Sequence, residues 1–320
     1  KDAVPYLEKA NEVRPGDAEI LRHLALAYHG VERFADAVKT FEHLFRVEPG
    51  NANDLYKYGE SLQAQNRHDD ALGAWKKTLA IDNNHSAAWR ASGRLLAKLG
   101  RHSDSVPAWN EYVRLVPDDY EGHAGLGVAH QTLGNHGEAV VQFREAIRRK
   151  GDDPMLHVGL GVSCHAVGSM QEAVEALETA TRLDPDCAPA YDRMGVLFKD
   201  LGRIREAAQA IRNAIRLKPM EPTFHYTLGQ HEKALGNLRD AEEGFRQATR
   251  LKNDYADAQY ELGLVSLELD KPDAAIEAFR KAIQYKPENP ETHYHLGLTY
   301  ARPRRYVEAV EAFRQCLRLK

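Results

Sequence analysis

Small and large apolar residues fall on fixed columns spaced 34 residues apart along the chain. Glycine stands at 59, 93, 127, 161, 195, 229, 263 and 297, with Ala25 heading the column. Twelve residues after each comes a small side chain: Ala37, Ala71, Ser105, Ala139, Ala173, Ala207, Ala241, Ala275 and Ala309. Four further on the side chains are bulky: Phe41, Trp75, Trp109, Phe143, Leu177, Ile211, Phe245, Phe279 and Phe313. Leu24, Leu126, Leu160, Met194, Leu228, Leu262 and Leu296 precede the small residue and complete an apolar stripe. Each unit closes on a turn former, either Pro15, Pro49, Pro117, Pro185, Pro219 and Pro287 or Asn83, Gly151 and Asn253. Segments such as Leu99-Gly100-Arg101 and Leu201-Gly202-Arg203 mark the turn within a unit, and no strand signal interrupts them. The pattern predicts an all-α chain of tandem helix–turn–helix units.

Sterics explain the columns. A glycine inside a helix costs about 1 kcal/mol relative to alanine, so its recurrence predicts that the two helices of each unit cross there with almost no room. The alanine column is expected opposite the glycine on the facing helix, with the bulky side chain filling the space one turn away.

These columns carry a resemblance. An aromatic, Leu-Gly, a second aromatic, Ala, Phe, Ala and Pro at fixed offsets resemble the tetratricopeptide repeat superfamily. Ala146, Ala180, Ala214, Ala248 and Ala282 stand in its last alanine column, and Trp89 and Tyr191 in its first aromatic one. The resemblance covers the whole chain as one array. It comprises a half repeat at 1–17, repeats at 18–51, 52–85, 86–119, 120–153, 154–187, 188–221, 222–255 and 256–289, and a nearly full one at 290–320. It implies a right-handed α-solenoid whose first helices line a concave groove that holds protein segments.

Departures from the pattern are local. Pro107 falls inside a second helix and is expected to kink it or delay its start. His123, His157, His225 and His293 stand where Trp or Tyr is usual. The chain opens on Lys1 and stops within a second helix, so the expectation is a piece of a longer array or ends that mate with something. Self-association through those uncapped ends follows from the second alternative.

Fold alone does not assign a function. The resemblance places the groove at the second, fifth, sixth, ninth, twelfth and thirteenth positions of each repeat, and these give three zones. The first is basic: Arg22, His23, Lys57, Arg90, Arg94 and Lys98, opposed by Glu19 and Glu60. Arg90, Arg94 and Lys98 share one helix face, a stripe that is either solvated or poised for a partner's carboxylates. The second zone is small and apolar: Ala124, Gly125, Val128, Val158, Gly159 and Val162. It reads as a shallow trough or, preferably, as tight packing of neighbouring helices. The third is a ladder of Tyr226, Tyr260 and Tyr294, matched earlier by Tyr56 and flanked by His295, Glu261 and Lys233. Rigid rings of this kind make good contact surfaces. Arg193 completes the candidate groove set.

Two known binding signatures of the family do not carry over. The clamp that grips the carboxyl terminus of heat-shock chaperones lacks its asparagines, since Arg22 is followed by Leu26 and later positions are Lys57, Ala87 and Ala91. The asparagine ladder of O-GlcNAc transferase would need Asn at 23, 57, 91, 125, 159, 193, 227, 261 and 295, and none is there.

Composition narrows the remaining choices. A net charge of -4, with acids and bases interleaved, gives no reason to propose nucleic acid. No apolar run reaches the roughly 20 residues of a membrane helix. Cys164, Cys187 and Cys316 are scattered and odd in number, which points away from a disulfide framework and towards a reducing compartment, the cytoplasm being preferred. Histidines one repeat apart stand roughly 10 Å from one another, too far to share an ion. No nucleophile–base pair is placed by spacing, so neither enzyme activity nor a cofactor or metal is expected. The favoured reading is a scaffold or adaptor that holds a peptide or helix, possessing an acidic character if the basic zone is used. The alternatives are the substrate-selecting arm of a larger enzyme, such as a glycosyltransferase or signalling kinase, and a self-assembling array.

Overall fold

The computed structural model describes residues 3–319, which form nineteen α-helices and no strand. The chain divides between Asp152 and Asp153 into two compact units. The first holds α1 (Ala3–Val13), α2 (Ala18–Gly30), α3 (Phe34–Val47), α4 (Ala52–Ala64), α5 (His68–Ile81), α6 (Ser86–Lys98), α7 (His102–Leu115), α8 (Tyr120–Thr132) and α9 (His136–Arg149). The second holds α10 (Pro154–Ala166), α11 (Met170–Leu183), α12 (Ala188–Asp200), α13 (Ile204–Leu217), α14 (Pro222–Ala234), α15 (Leu238–Leu251), α16 (Ala256–Glu268), α17 (Pro272–Tyr285), α18 (Pro290–Ala301) and α19 (Tyr306–Arg318).

Start signals differ between the two kinds of helix. Several first helices carry an acceptor at the N-cap: the Asp17 carboxylate accepts from the backbone N–H of Glu19 and Ile20, and Asn51 accepts from that of Asp54. Second helices lack a side-chain cap. Of these, α3, α5, α7, α13 and α19 begin instead on an arginine that donates from Nε to an acid three residues on, as in Arg33–Asp36 at 2.7 Å, Arg67–Asp70 at 2.7 Å and Arg101–Asp104 at 3.0 Å. That holds a carboxylate beside the positive end of the helix dipole.

Within each pair, the bulky column lies directly over the glycine column. A Cβ on Gly59 would stand 2.4 Å from Nε1 of Trp75, one on Gly263 2.5 Å from Phe279, and one on Gly195 2.5 Å from Ile211. This corrects the expected arrangement, in which alanine faced glycine and the large side chain sat one turn away. A large side chain needs more clearance than a methyl group, and at these positions bare backbone provides it. Alanine is buried as well: Ala37, Ala71, Ala139, Ala173, Ala207, Ala241 and Ala275 have no exposure. In α14 and α15 the backbones themselves touch, since a Cβ on Gly244 would stand 2.9 Å from the backbone nitrogen of Gly229.

Two further expectations change. Leu24, Leu126, Leu160 and Leu296 are buried, but Met194, Leu228 and Leu262 are only half-buried. Leu228 and Leu262 line clefts between successive second helices, which leaves part of each side chain uncovered. Helix α7 runs unbroken from His102 through Pro107 to Leu115, without the expected delay. Pro107 removes a single backbone donor in the second turn, and the helix keeps its remaining bonds. No helix among the described residues is long and apolar enough to cross a membrane.

Candidate interaction surface

First helices two elements apart lie side by side: α2 with α4 and α6 with α8 in the first unit, α10 with α12 and α16 with α18 in the second. Side chains on this first-helix face therefore meet across a spacing of one repeat, as Arg22 and Arg94 of the basic zone do. Arg22 donates from Nε to Asp54, which has no exposure, at 2.9 Å, and its Nη2 pairs with Glu48. The hydrogen bond from Arg22 to Asp54 is the main reason its guanidinium is held above its usual range. Lys57 donates to Glu60 at 2.8 Å, and Tyr56 donates to the other oxygen of Glu60 at 2.9 Å. Burial, reinforced by Glu60, pushes the Tyr56 hydroxyl up. The Nδ1 of His23, on an exposed side chain, lies 2.7 Å from the carbonyl of Glu19.

Arg90, Arg94 and Lys98 do share one face of α6, but they are not equivalent. Arg94 pairs with Glu121 of α8. Arg90 is half-buried, with its guanidinium carbon 6.0 Å from the centre of the Tyr112 ring. Lys98 is exposed and has no ion-pair partner among the described residues. One inter-repeat carboxylate, that of Glu121, thus relieves part of the repulsion within this row.

At Gly125 the apolar zone is filled. A Cβ there would stand 2.4 Å from Cε2 of Trp109, so the bare backbone seats the indole of the preceding second helix and leaves no trough. Gly159 is buried, Val162 half-buried and Val128 exposed. Arg193 is exposed and pairs with Asp192 at 3.4 Å.

The tyrosine zone forms two groups of ring contacts in the second unit. The Tyr226 ring lies 5.0 Å from Tyr255 and 5.7 Å from Phe245. Tyr260 lies 5.8 Å from His295, which in turn lies 5.5 Å from Tyr294. Tyr294 is the outermost ring, 46% exposed. Lys233 donates to Glu261 at 2.9 Å alongside. Burial, then Glu261, pushes the Tyr226 hydroxyl up to about 12, and burial lowers the imidazole of His295. The rings are anchored on core phenylalanines, with Tyr260 6.0 Å from Phe279 and Tyr294 6.0 Å from Phe313.

Two members of the histidine column, His225 and His293, act structurally in one way, while His123 instead sets its Nδ1 2.8 Å from Oε1 of Gln142. Nε2 of His225 donates to the carbonyl of Pro219 at 2.8 Å, and Nε2 of His293 to that of Pro287 at 2.9 Å. The indole of Trp89 makes the same bond to Asn83 at 2.9 Å. Each ring N–H ties a first helix to the turn six residues before it, so histidine there does the work of tryptophan. Among the described residues no three His, Cys, Asp or Glu side chains gather as a metal ion would require. The three cysteines are buried, and none is in a disulfide among the described residues.

Models of the tetratricopeptide repeat match residues 30–86, 56–120, 90–154, 124–188, 193–232 and 226–284, and also 290–320, while a TPR repeat model matches 267–302. None of the curated proteins compared matches the chain. Among solved structures, a MamA protein is 26% identical with a TM-score of 0.51, over 53% of this chain and 92% of that one. YrrB, a TPR protein described as having an unusual peptide-binding site, is 21% identical with a TM-score of 0.51, over 56% of this chain and 92% of that one. A chain of the Cut9–Hcn1 hetero-tetramer of the APC/C is 17% identical with a TM-score of 0.55, over 93% of this chain and 58% of that one.

Proposed function

The chain belongs to the tetratricopeptide repeat family, and from that premise we propose that it is a protein-interaction scaffold that holds an extended segment or helix of a partner. The surface proposed for contact is the first-helix face of α14, α16 and α18, centred on Tyr260, Tyr294 and His295. The observation that carries this reading is the unbroken run of ring contacts from Tyr260 through His295 to Tyr294, rigid at its base and open at Tyr294. Rings already fixed by packing lose little freedom on binding, which concentrates binding energy at few positions. Binding a peptide is also what YrrB is described as doing, and one face of this chain offers the same kind of service.

The basic row is the secondary contact. Arg22, Lys57 and Arg94 already hold carboxylates of this chain, so Lys98 and Arg90 are the cations proposed for an acidic partner group. Selection of peptides displayed on phage against the full chain, followed by calorimetry, tests the assignment. Tyr260→Ala with Tyr294→Ala should weaken the selected peptides about ten-fold or more, while Arg90→Glu with Lys98→Glu should weaken only acidic ones. Selected peptides that bind the tyrosine double variant unchanged would remove this surface as the site.

A further inference from the structure

Three polar residues stand in columns that are otherwise mostly apolar or aromatic, and all three meet in one cavity. Glu242 replaces the aliphatic side chain carried at the same repeat position by Val38, Leu72, Val106, Val140, Val174, Ala208, Ile276 and Val310. Gln259 stands in the column that holds Leu21, Leu55, Trp89, Tyr191 and the four histidines His123, His157, His225 and His293, and Ser266 in one that holds Leu62, Leu96 and Phe198 but also His130 and Glu232. They line a cavity of about 290 Å³ between α15, α16 and α17. Glu242 is 5%, Gln259 6% and Ser266 1% exposed. The stripe 259–262–266 is a different one from that of Tyr260 and Glu261, so this cavity lies apart from the ring surface.

Burying polar groups in this way is costly unless they are satisfied. Glu242 is satisfied: Lys271 reaches its two oxygens at 2.7 and 3.0 Å, and Arg246 reaches it at 2.8 Å. The neighbouring Glu277 and Lys281 pair at 2.7 Å. Charge in the lining is therefore balanced. Ser266 is not satisfied, since its Oγ is buried without a partner. The Gln259 carboxamide lines the same cavity and makes no hydrogen bond to another described residue. A carboxamide offers two donors and one acceptor oxygen, and a hydroxyl offers one donor and an acceptor oxygen. The group complementary to this pair is uncharged and both donates and accepts.

We propose that this cavity receives the side-chain carboxamide of an asparagine or glutamine from a protein partner, paired with Gln259 and Ser266. Leu262 lines the same cavity and would lie against the aliphatic stem of such a side chain. Glu242, held by Lys271 and Arg246, fixes the wall and excludes an unpaired charge. The site is independent of the surface proposed above and would survive its failure.

The test is a titration of the full chain with N-acetylglutaminamide, read from the side-chain amide resonances of Gln259 and the backbone amide of Ser266. N-acetylleucinamide, which has the same backbone amides and no side-chain amide, is the control. Saturable shifts with the first probe and none with the second are expected, and they should persist in Tyr294→Ala. Gln259→Leu with Ser266→Leu recreates the Leu55 and Leu62 pair of an earlier repeat, so it should fold with an unchanged or higher urea midpoint and lose the shifts. The proposal is overturned if neither probe shifts these resonances up to its solubility limit, if both shift them equally, or if the double variant keeps the response. Stronger shifts with N-acetylglutamate amide would also overturn it, by assigning the cavity to an anion.

Discussion

The indole of Trp75 lies on the backbone of Gly59, fully buried, with Nε1 donating to the carbonyl of Tyr56 at 3.3 Å. Two effects oppose each other when Gly59 becomes alanine. Helix propensity favours alanine by about 1 kcal/mol, but its methyl would enter a locked ring, an overpacking that costs about 1–3 kcal/mol. We expect Gly59→Ala to lower stability by about 1 kcal/mol. Ala25→Gly, where the same column already fits a methyl beside Phe41, should also lower it. A urea midpoint for Gly59→Ala above that of the parent would contradict this account.

Glu32 has a φ of 62° at the turn between α2 and α3, where Gly100, Gly134, Gly168, Gly202 and Gly236 serve in other repeats at φ of 71–83°. A side chain in this left-handed region costs about 1–2 kcal/mol, part of which glycine gives back through its freer unfolded state. Glu32→Gly should therefore raise the thermal midpoint, and Gly202→Glu should lower it. The pair of melting curves checks both signs.

Among the described residues Arg22 is the only hydrogen-bond partner of the Asp54 carboxylate, and Oδ1 of Asp54 is buried without one. Removing the cation strands a buried charge, at a cost of about 3 kcal/mol. Arg22→Leu is expected to show that loss in chemical denaturation, and Arg22→Leu with Asp54→Asn to recover most of it. Equal losses in the single and double variants would show that packing of the arginine stem, and not its charge, matters.

His231 is 2% exposed, and burial, then Lys199, lowers its imidazole below the usual value. With the folded value depressed, the unfolded chain takes up the proton first as pH falls through about 6.5. Stability should therefore decline on acidification below that point. His29 and His295, also lowered by burial, add to the same slope. His231→Leu, the side chain carried by this column at 95 and 197, should flatten the decline in urea midpoints between pH 6.5 and 5. An unchanged slope would show that this histidine does not contribute.

The repeat, the helical class and the glycine column as the place where paired helices meet were determined by the sequence alone. Their cause is local and periodic: a helix accepts glycine at the same place again and again only where a neighbour presses on it, and the 34-residue spacing makes that repetition visible. Which residues touch there was decided by the tertiary structure, because a helix-to-helix approach sets whether Trp75 or Ala71 faces Gly59. The same holds for the surfaces. Arg22 and Asp54 are 32 residues apart, Arg94 and Glu121 27 apart, and Lys233 and Glu261 28 apart. Opposite charges just short of one repeat were a readable sign of pairing, but reading one helix at a time left Arg94 free. The tyrosines could be aligned in sequence, yet their ring contacts through His295 depend on how first helices stack. The cavity of Gln259 and Ser266 depends on three helices converging, which no single column records.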